Sequence, residues 1–250
     1  MKKMYRYFAF AKEIVEAGVQ GHLAVQFHEC PSCQKERLWI KYGTLSRQVR
    51  CTGCRATNIS LSLLKLVQEL DLPTSSAVYE MSFHGSTFNY LKSVYRNFYC
   101  SEYFGENLPG GSIHNGVRHE DVQRLSFEDS TFSLITSTEV FEHVPDYLAG
   151  LKEIFRVLKK QGVLLFTVPL FDIEKNLQIA EQKDGKTIWL GKPELHDSRV
   201  WGVNSVPVFW RHSQRDLEGD LRSIGFEEVS AVNVKSPFDA IEQKVFRCIK

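Results

Sequence analysis

Short apolar segments of strand length alternate with amphipathic helical segments from residue 77 onward, and this alternation most narrows the folds open to the chain. Strands that alternate with helices form parallel sheets, because each crossover helix packs against a face of the sheet. The clearest strand is 163–168, an uninterrupted apolar run that ends at Pro169. We therefore predict an α/β fold with a doubly wound, seven-stranded, mostly parallel sheet over residues 73–250.

Hydrophobic periodicity also sets the expected order of elements in this second domain. The predicted strands are 77–81, 98–102, 113–119, 132–137, 163–168, 227–234 and 244–249. A helix is predicted over 146–159, with Gly162 as its C-terminal stop, and residues 171–212 are predicted to be irregular.

Four of the six cysteines form two pairs, each with two residues between its members, namely Cys30, Cys33, Cys51 and Cys54. Four thiolates satisfy tetrahedral Zn²⁺, and each short gap lets one tight turn present two sulfurs to the same ion. The alternatives are two disulfides or four incidental thiols. We predict a structural zinc ion without a catalytic role in a small N-terminal zinc ribbon. With an N-terminal helix and a linking helix, this ribbon forms a first domain over residues 1–72.

The charge balance is close to neutral, with 31 Lys plus Arg against 30 Asp plus Glu and a formal net charge of +1. Such a chain has no bulk electrostatic attraction to nucleic acid or to an anionic membrane, so a nucleic-acid partner is disfavoured. No segment approaches the ~20 consecutive apolar residues of a membrane span. We expect a cytoplasmic protein.

Polar residues follow three of the predicted strands, where ligands of open α/β sheets bind. Gly85 and the start of the next helix could let backbone amides approach a polar ligand. Glu102 could accept both hydroxyls of a ribose, although it could also be a solvated surface acid. After the third strand, Asp121 could accept a hydrogen bond from an adenine amine, and Val122 could pack on the ring.

Residues 125–169, LSFEDSTFSLITSTEVFEHVPDYLAGLKEIFRVLKKQGVLLFTVP, closely resemble the fourth-strand region of class I S-adenosylmethionine-dependent methyltransferases. With its flanking strands, the resemblance spans about residues 77–250 and implies a Rossmann-like methyltransferase fold. It implies cofactor-binding roles for eight residues, which are Glu80, His84 and Gly85 in the first loop, Glu102 at the ribose, Asp121 and Val122 at the adenine, and Thr138 and Glu139 at the methionine moiety.

The N-terminal half resembles a branch of that family in which a paired-cysteine ribbon precedes the methyltransferase domain. Members of this branch often belong to glycan-modifying or surface-polysaccharide pathways. The resemblance therefore implies an enzyme that moves a methyl group from S-adenosylmethionine to a hydroxyl of a small-molecule or glycan acceptor.

The catalytic candidate is His143, which follows the fourth strand. An imidazole titrates near neutral pH and can act as a general base toward a hydroxyl, but this histidine could instead support the loop. His196 and His212 lie beside Trp201 and Trp210, in a segment that could contact the acceptor or form a lid.

Two other functions stay open. An RNA methyltransferase would use the basic residues concentrated in the ribbon, which are Lys35, Arg37, Lys41, Arg47, Arg50 and Arg55. A catalytically silent binding or scaffolding protein is suggested by the first loop, VYEMSFHGS, which retains only Gly85 of the two or three glycines usual in the family.

Overall fold

The computed structural model describes residues 2–198, 200–238 and 241–250, with side chains described from residue 11 onward. The chain divides into two compact units. The first contains residues 1–71, 85–90 and 233–245, and the second contains residues 72–84, 91–232 and 246–250.

The first unit is built around a small antiparallel sheet. Helix α1 (Lys2–Val19) precedes strands β1 (Leu23–Cys30), β2 (Lys35–Tyr42) and β3 (Val49–Cys51), and helix α2 (Asn58–Glu69) follows them. Its hydrophobic core includes Trp39, Val49 and Leu61, together with Phe238 and Ile241. We assigned residues 233–245 by sequence to the second domain. They belong to this unit because Phe238 and Ile241 pack in its core.

After residue 72, strands and helices follow in the order that the periodicity predicts, with extra short strands. They are β4 (Ala77–Glu80), α3 (Gly85–Val94), β5 (Asn97–Cys100), β6 (Ile113–His114), β7 (Val117–Arg118), β8 (Phe132–Thr138), α4 (Tyr147–Val157), β9 (Leu158–Thr167), β10 (Leu170–Phe171), β11 (Leu177–Gln178), β12 (Ala180–Lys183), β13 (Lys186–Trp189), β14 (Leu195–Ser198), β15 (Gly202–Pro207), β16 (Trp210–Ser213), α5 (Gln214–Ile224), β17 (Glu228–Lys235) and β18 (Glu242–Ile249).

The main sheet has the strand order β17-β18-β9-β8-β4-β5. Strands β5, β4, β8 and β9 are parallel to one another, and β18 runs antiparallel to β9. This confirms the predicted Rossmann-like, mostly parallel α/β fold. The core of the second unit contains the fully buried aromatic side chains of Tyr79, Phe132, Phe141, Phe166 and Phe246.

The prediction of seven strands is wrong, because in the described residues this sheet has six. Residues 113–119 form the hairpin β6–β7 instead of a strand of the sheet. Its turn residues Asn115 and Gly116 both have positive φ, 49° and 78°, as a tight hairpin turn requires. Only an isolated parallel bridge between Glu102 and His119 remains of the expected third strand.

Two other expectations are also corrected. Gly162 does not stop a helix, because α4 ends at Val157 and Gly162 lies inside β9. A Cβ at Gly162 would lie 2.7 Å from the carbonyl oxygen of Lys159 and 3.1 Å from that of Phe132, so close backbone approach accounts for the glycine. Residues 171–212 are not irregular but contain the five short strands β11 to β15 and parts of β10 and β16.

Capping residues mark the start of α4 and the end of α5. Asp146 caps α4 by accepting a hydrogen bond from the amide of Ala149 at 2.9 Å. Helix α5 ends at Gly225, whose φ of 120° favours glycine. None of the helices in the described residues has the length and apolar character required to cross a membrane.

Candidate functional site

The four paired cysteines converge in the first unit. The two Cys-x-x-Cys turns have matching geometry. The amide of Gln34 donates to the Cys30 carbonyl at 2.7 Å, and the amide of Arg55 donates to the Cys51 carbonyl at 2.9 Å. Both donors have positive φ, 51° and 63°. Such repeated turns point two sulfurs each toward a common centre.

The sulfur positions fit a tetrahedral metal site. All four sulfur atoms lie within 4.8 Å of one another, and Cys30 Sγ is 3.5 Å from Cys54 Sγ. Zn–S bonds of about 2.3 Å place tetrahedral ligands about 3.8 Å apart. The hydrogen bond from Cys30 lowers the pKa of Cys54 to about 5, so one thiolate is already favoured. The donor set therefore fits Zn²⁺.

In the second unit, Glu80 ends β4 with a fully buried carboxyl group. It accepts a hydrogen bond from Thr136 Oγ1 of the neighbouring strand β8. Burial raises the pKa of Glu80 to about 8, and the charge of Glu102 adds to the increase. Glu80 is thus held inside the sheet edge, mostly protonated at neutral pH.

Glu102 follows β5 near the first predicted cofactor loop. Its Oε2 atom lies 3.9 Å from His84 Nδ1, and Ser82 Oγ holds the same ring nitrogen at 2.9 Å. Burial raises the pKa of Glu102 to about 7. Gly85, where α3 begins, has a φ of 99° and is assigned to the first unit.

The main chain joins the Glu102 loop to the next acidic loop. The Glu102 amide donates to the Arg118 carbonyl at 3.0 Å, and the Glu120 amide donates to the Glu102 carbonyl at 3.2 Å. Asp121, which follows directly, accepts from the Gln123 amide at 3.0 Å and lines a small cavity with Tyr103. The two loops therefore lie side by side at this edge of the sheet.

Not every residue of these loops faces that cavity. Glu120 is the buried acid, and it binds Arg118 Nε at 2.6 Å. Val122 packs against the core, and a Cβ at Gly150 of α4 would lie 3.3 Å from its Cγ1 atom. Among the described residues, neither Glu102 nor Val122 is part of the cavity lining.

The end of β8 carries the next predicted pair. Thr138 closes the strand, and its buried Oγ1 atom has no hydrogen-bond partner among the described residues. Glu139 has a φ of 53°, and its amide donates to the Thr167 carbonyl at 3.0 Å. A non-glycine residue in the left-handed region costs free energy, and such residues cluster at functional sites.

His143 lies at the end of the short turn that follows β8. Its Nδ1 atom is 2.7 Å from the Pro207 carbonyl oxygen, and because a carbonyl only accepts, Nδ1 carries the proton. Its Nε2 atom is 3.2 Å from Nδ1 of His196 on β14. Burial lowers the pKa of His143 to about 4, so the ring is neutral at neutral pH.

The other aromatic and histidine residues that we singled out in the sequence do not contact the His143–His196 pair in the same way. His212 is buried, with its ring 4.9 Å from that of Tyr147. Trp210 Nε1 donates to the Pro145 carbonyl at 2.9 Å, whereas Trp201 is 51% exposed. His143 and His196 thus meet, and His212 and Trp210 support the surrounding structure.

Sequence reasoning missed two acids at this place. Glu142 is buried and lies 3.6 Å from His143 Nε2, and Glu194 lies 3.7 Å from His196 Nε2. Each of these acids lies within two residues of a candidate histidine in the sequence. This proximity is the signal that could have indicated them. Their convergence depends on the hairpin β14–β15, which we did not predict.

A family model described as a methyltransferase domain matches residues 82–166. This segment contains β8, α4 and most of β9, and it includes the 125–169 resemblance almost entirely. Residues 82–166 belong to a class I S-adenosylmethionine-dependent methyltransferase domain. Of the second-unit candidates, only Glu80 precedes the matched segment of this methyltransferase domain.

Curated relatives of the methyltransferase domain carry the name demethylmenaquinone methyltransferase. The protein of Alkalihalophilus pseudofirmus is 37% identical over 124 residues, which are 46% of this chain and 50% of that one. The protein of Staphylococcus saprophyticus is 47% identical over 54 residues, 21% and 23% of the two chains. The chain therefore spans half or less of the length of these relatives.

Solved structures of methyltransferases are also similar. An S-adenosylmethionine-dependent methyltransferase from Mesorhizobium loti has 12% identity and a TM-score of 0.48, covering 76% of this chain and 98% of that one. The 1,6-didemethyltoxoflavin-N1-methyltransferase of Burkholderia thailandensis has 16% identity and a TM-score of 0.47, covering 76% of each chain.

Proposed function

We propose that the protein transfers a methyl group from S-adenosylmethionine to a hydroxyl of a small-molecule or glycan acceptor. The observation that carries the proposal is the main-chain link between residues 102 and 118–120, which joins two acidic loops within the matched methyltransferase segment. Ligands of open α/β sheets bind at this carboxyl edge. An acidic pair here supplies acceptors for the ribose hydroxyls and the adenine amine.

The proposed cofactor contacts are those that the resemblance implies. The Glu102 carboxylate would accept from the ribose, and Asp121 would accept from the adenine amine. Val122 would stay near the adenine, but with its side chain in the core. Glu80, His84 and Gly85 would border the first loop, and Thr138 and Glu139 the methionine moiety.

The acceptor would react near His143. Methyl transfer from a sulfonium is an in-line displacement, so alignment and exclusion of water contribute most of the rate enhancement. With Nδ1 bonded to the Pro207 carbonyl, only Nε2 of His143 can accept a proton from a hydroxyl. Its pKa of about 4 makes it a weak base, which favours orientation of the acceptor over strong proton abstraction.

The names of the relatives support a small acceptor. Those relatives are named as enzymes acting on demethylmenaquinone, a small molecule rather than a polymer. A glycan acceptor rests on the resemblance to ribbon-bearing family members and on exposed Trp201, since aromatic faces suit sugar rings.

We further propose that Cys30, Cys33, Cys51 and Cys54 bind one structural Zn²⁺. A closed four-thiolate site has no open position for substrate, so the ion would stabilise the first unit only. Thiolates persist in a reducing compartment, which is consistent with a cytoplasmic protein.

Titration calorimetry with S-adenosylhomocysteine tests the cofactor site. We expect saturable binding to the wild type and an affinity at least ~100-fold lower for Glu102→Ala, because hydrogen bonds to a charged group contribute roughly 1.5–3 kcal/mol each. Affinity of the wild type should also rise about tenfold from pH 6 to pH 8. The carboxylate form that binds is the minor form below the Glu102 pKa of about 7.

The matched control is Glu128→Ala, which removes an exposed acid of the same unit and should bind like the wild type. No saturable binding by the wild type would instead establish a catalytically silent scaffold. Equal affinities of Glu102→Ala and the wild type would remove Glu102 from the site.

An RNA substrate is the weaker alternative, because part of the basic cluster has structural contacts. A Cβ at Gly53 would lie 2.6 Å from Arg37 Nε, and Arg50 Nε donates to Tyr42 Oη at 2.7 Å. Filter binding of RNA across salt concentrations tests it, since phosphate contacts give a steep salt dependence.

A further inference from the structure

We propose that Glu142, His143 and His196 bind a divalent transition-metal cation, at a second metal site separate from the cysteine cluster. One donor atom from each of the three lies within 4.8 Å of the other two. All three residues belong to the second unit and meet where the turn after β8 faces the hairpin β14–β15. The inference goes beyond the proposed function and does not depend on cofactor binding.

The distance between the two ring nitrogens fits a shared metal ion. His143 Nε2 and His196 Nδ1 are 3.2 Å apart. Two nitrogens bonded to one metal at about 2.1 Å, with an angle between 90° and 110°, lie roughly 3.0–3.4 Å apart. Glu142 Oε1 is 3.6 Å from His143 Nε2 and would complete a face of three ligands.

A hydrogen-bond acceptor behind the His143 ring and a carboxylate near the far side of the His196 ring leave these same nitrogens free to ligate. His143 Nδ1 donates to the Pro207 carbonyl, which leaves the Nε2 lone pair directed at His196. On the other ring, the Glu194 carboxylate lies 3.7 Å from Nε2, and Arg211 holds that carboxylate at 2.8 Å. Metal-bound histidines usually have such a carbonyl or carboxylate behind the ring.

A proton at His196 Nε2 facing Glu194 leaves two nitrogen lone pairs pointing at each other. A metal ion between the rings converts this repulsion into two bonds. The competing arrangement is a proton on His196 Nδ1 that is donated to His143, and the experiment below separates the two.

The burial of the Glu142 carboxylate is an independent observation that indicates a cation. Its side chain is 1% exposed, and neither carboxylate oxygen has a hydrogen-bond partner among the described residues. The backbone holds the residue in place, because its carbonyl accepts from the Phe209 amide at 2.8 Å. A buried carboxylate without partners is costly, and metal coordination is one of the arrangements that compensate it.

The donor set indicates the class of metal. Two imidazoles and one carboxylate suit Zn²⁺, Co²⁺, Ni²⁺ or Fe²⁺, whereas Mg²⁺ and Ca²⁺ prefer oxygen ligands alone. Three protein ligands leave positions for water or for an oxygen of the acceptor. In the metal-bound protein the Nε2 lone pair of His143 is used for coordination, so His143 would not serve as a base.

Titration of the whole 250-residue chain with Co²⁺ tests the site. We expect one equivalent to bind with weak visible bands and without the intense sulfur-to-metal charge-transfer band of a thiolate site. His196→Ala and Glu142→Gln should each lose this binding, and Glu194→Gln should weaken it about tenfold, because it loses the partner that orients His196.

The matched control is His114→Ala, an exposed histidine of the hairpin β6–β7, which should bind Co²⁺ like the wild type. Absence of the weak bands in the wild type would leave a hydrogen bond between the two histidines as the arrangement and would overturn the proposal. Equal Co²⁺ binding by His196→Ala would show that His196 is not a ligand and would overturn it as well. S-adenosylhomocysteine binding is measured separately, so failure of the cofactor site would not be mistaken for failure of this one.

Discussion

Substituting Cys54→Ser is expected to remove one equivalent of zinc and to unfold the small core around Trp39. Structural Zn²⁺ contributes on the order of 10–16 kcal/mol in small zinc modules, far more than a short three-stranded sheet obtains from its own core. Trp39 is fully buried there, and its Nε1 atom donates to the His28 carbonyl at 3.2 Å. Zinc content and the fluorescence of Trp39, isolated by comparison with Trp39→Phe, would report the loss.

The control is Cys100→Ser, a partly buried cysteine outside the cluster, which should retain full zinc and unchanged Trp39 fluorescence. Protein purified gently without added metal should contain about one equivalent of zinc in the cysteine site. Substoichiometric zinc in protein with four reduced cysteines would contradict the ribbon assignment.

Stability of the second unit is expected to fall as pH rises, because of Glu80. Its pKa is raised from 4.5 in the unfolded reference to about 8, so the folded state binds the proton more tightly. The stability from this group is fully present below pH 4.5 and is lost progressively up to about pH 8. Between pH 6 and pH 9 the loss amounts to about 3 kcal/mol.

Urea unfolding of the wild type and of Glu80→Gln at pH 6 and pH 9 measures this effect. The amide keeps the size of the side chain and cannot ionise, so the part of the pH dependence that comes from Glu80 should disappear in the variant. The remaining slope should include Glu102, whose pKa is raised to about 7, and Glu142, whose pKa burial raises well above its usual value. Glu128→Gln, an exposed substitution, should keep the wild-type slope, and equal slopes in Glu80→Gln and the wild type would exclude the buried acid as the cause.

Several features could be predicted because they depend on neighbouring residues. The spacing of the cysteines predicted two matching turns, since a two-residue gap can be closed only by a tight turn. Strand and helix periodicity predicted the parallel sheet, and Asp146 and Gly225 mark helix ends through their own backbone chemistry. The resemblance over residues 125–169 is confirmed by the family match.

Local signals were misread where two of them competed. The Asn115–Gly116 pair is a hairpin signal, but the apolar residues around it led us to predict a strand. Gly162 was interpreted as a helix stop, although the close carbonyls of Lys159 and Phe132 require the glycine. At Gly162 the tertiary environment decided between conformations that the local sequence permits.

The sequence by itself determined the α/β class, the cysteine turns and the loops that carry the candidate acids. Only the tertiary structure decided which side chains meet. His143 and His196 are 53 residues apart, and Glu142 joins them only because β14 returns beside the turn after β8. Hydrophobic periodicity in the sequence indicates which face of a helix or strand is buried. Which distant loops come into contact depends on packing over the whole unit.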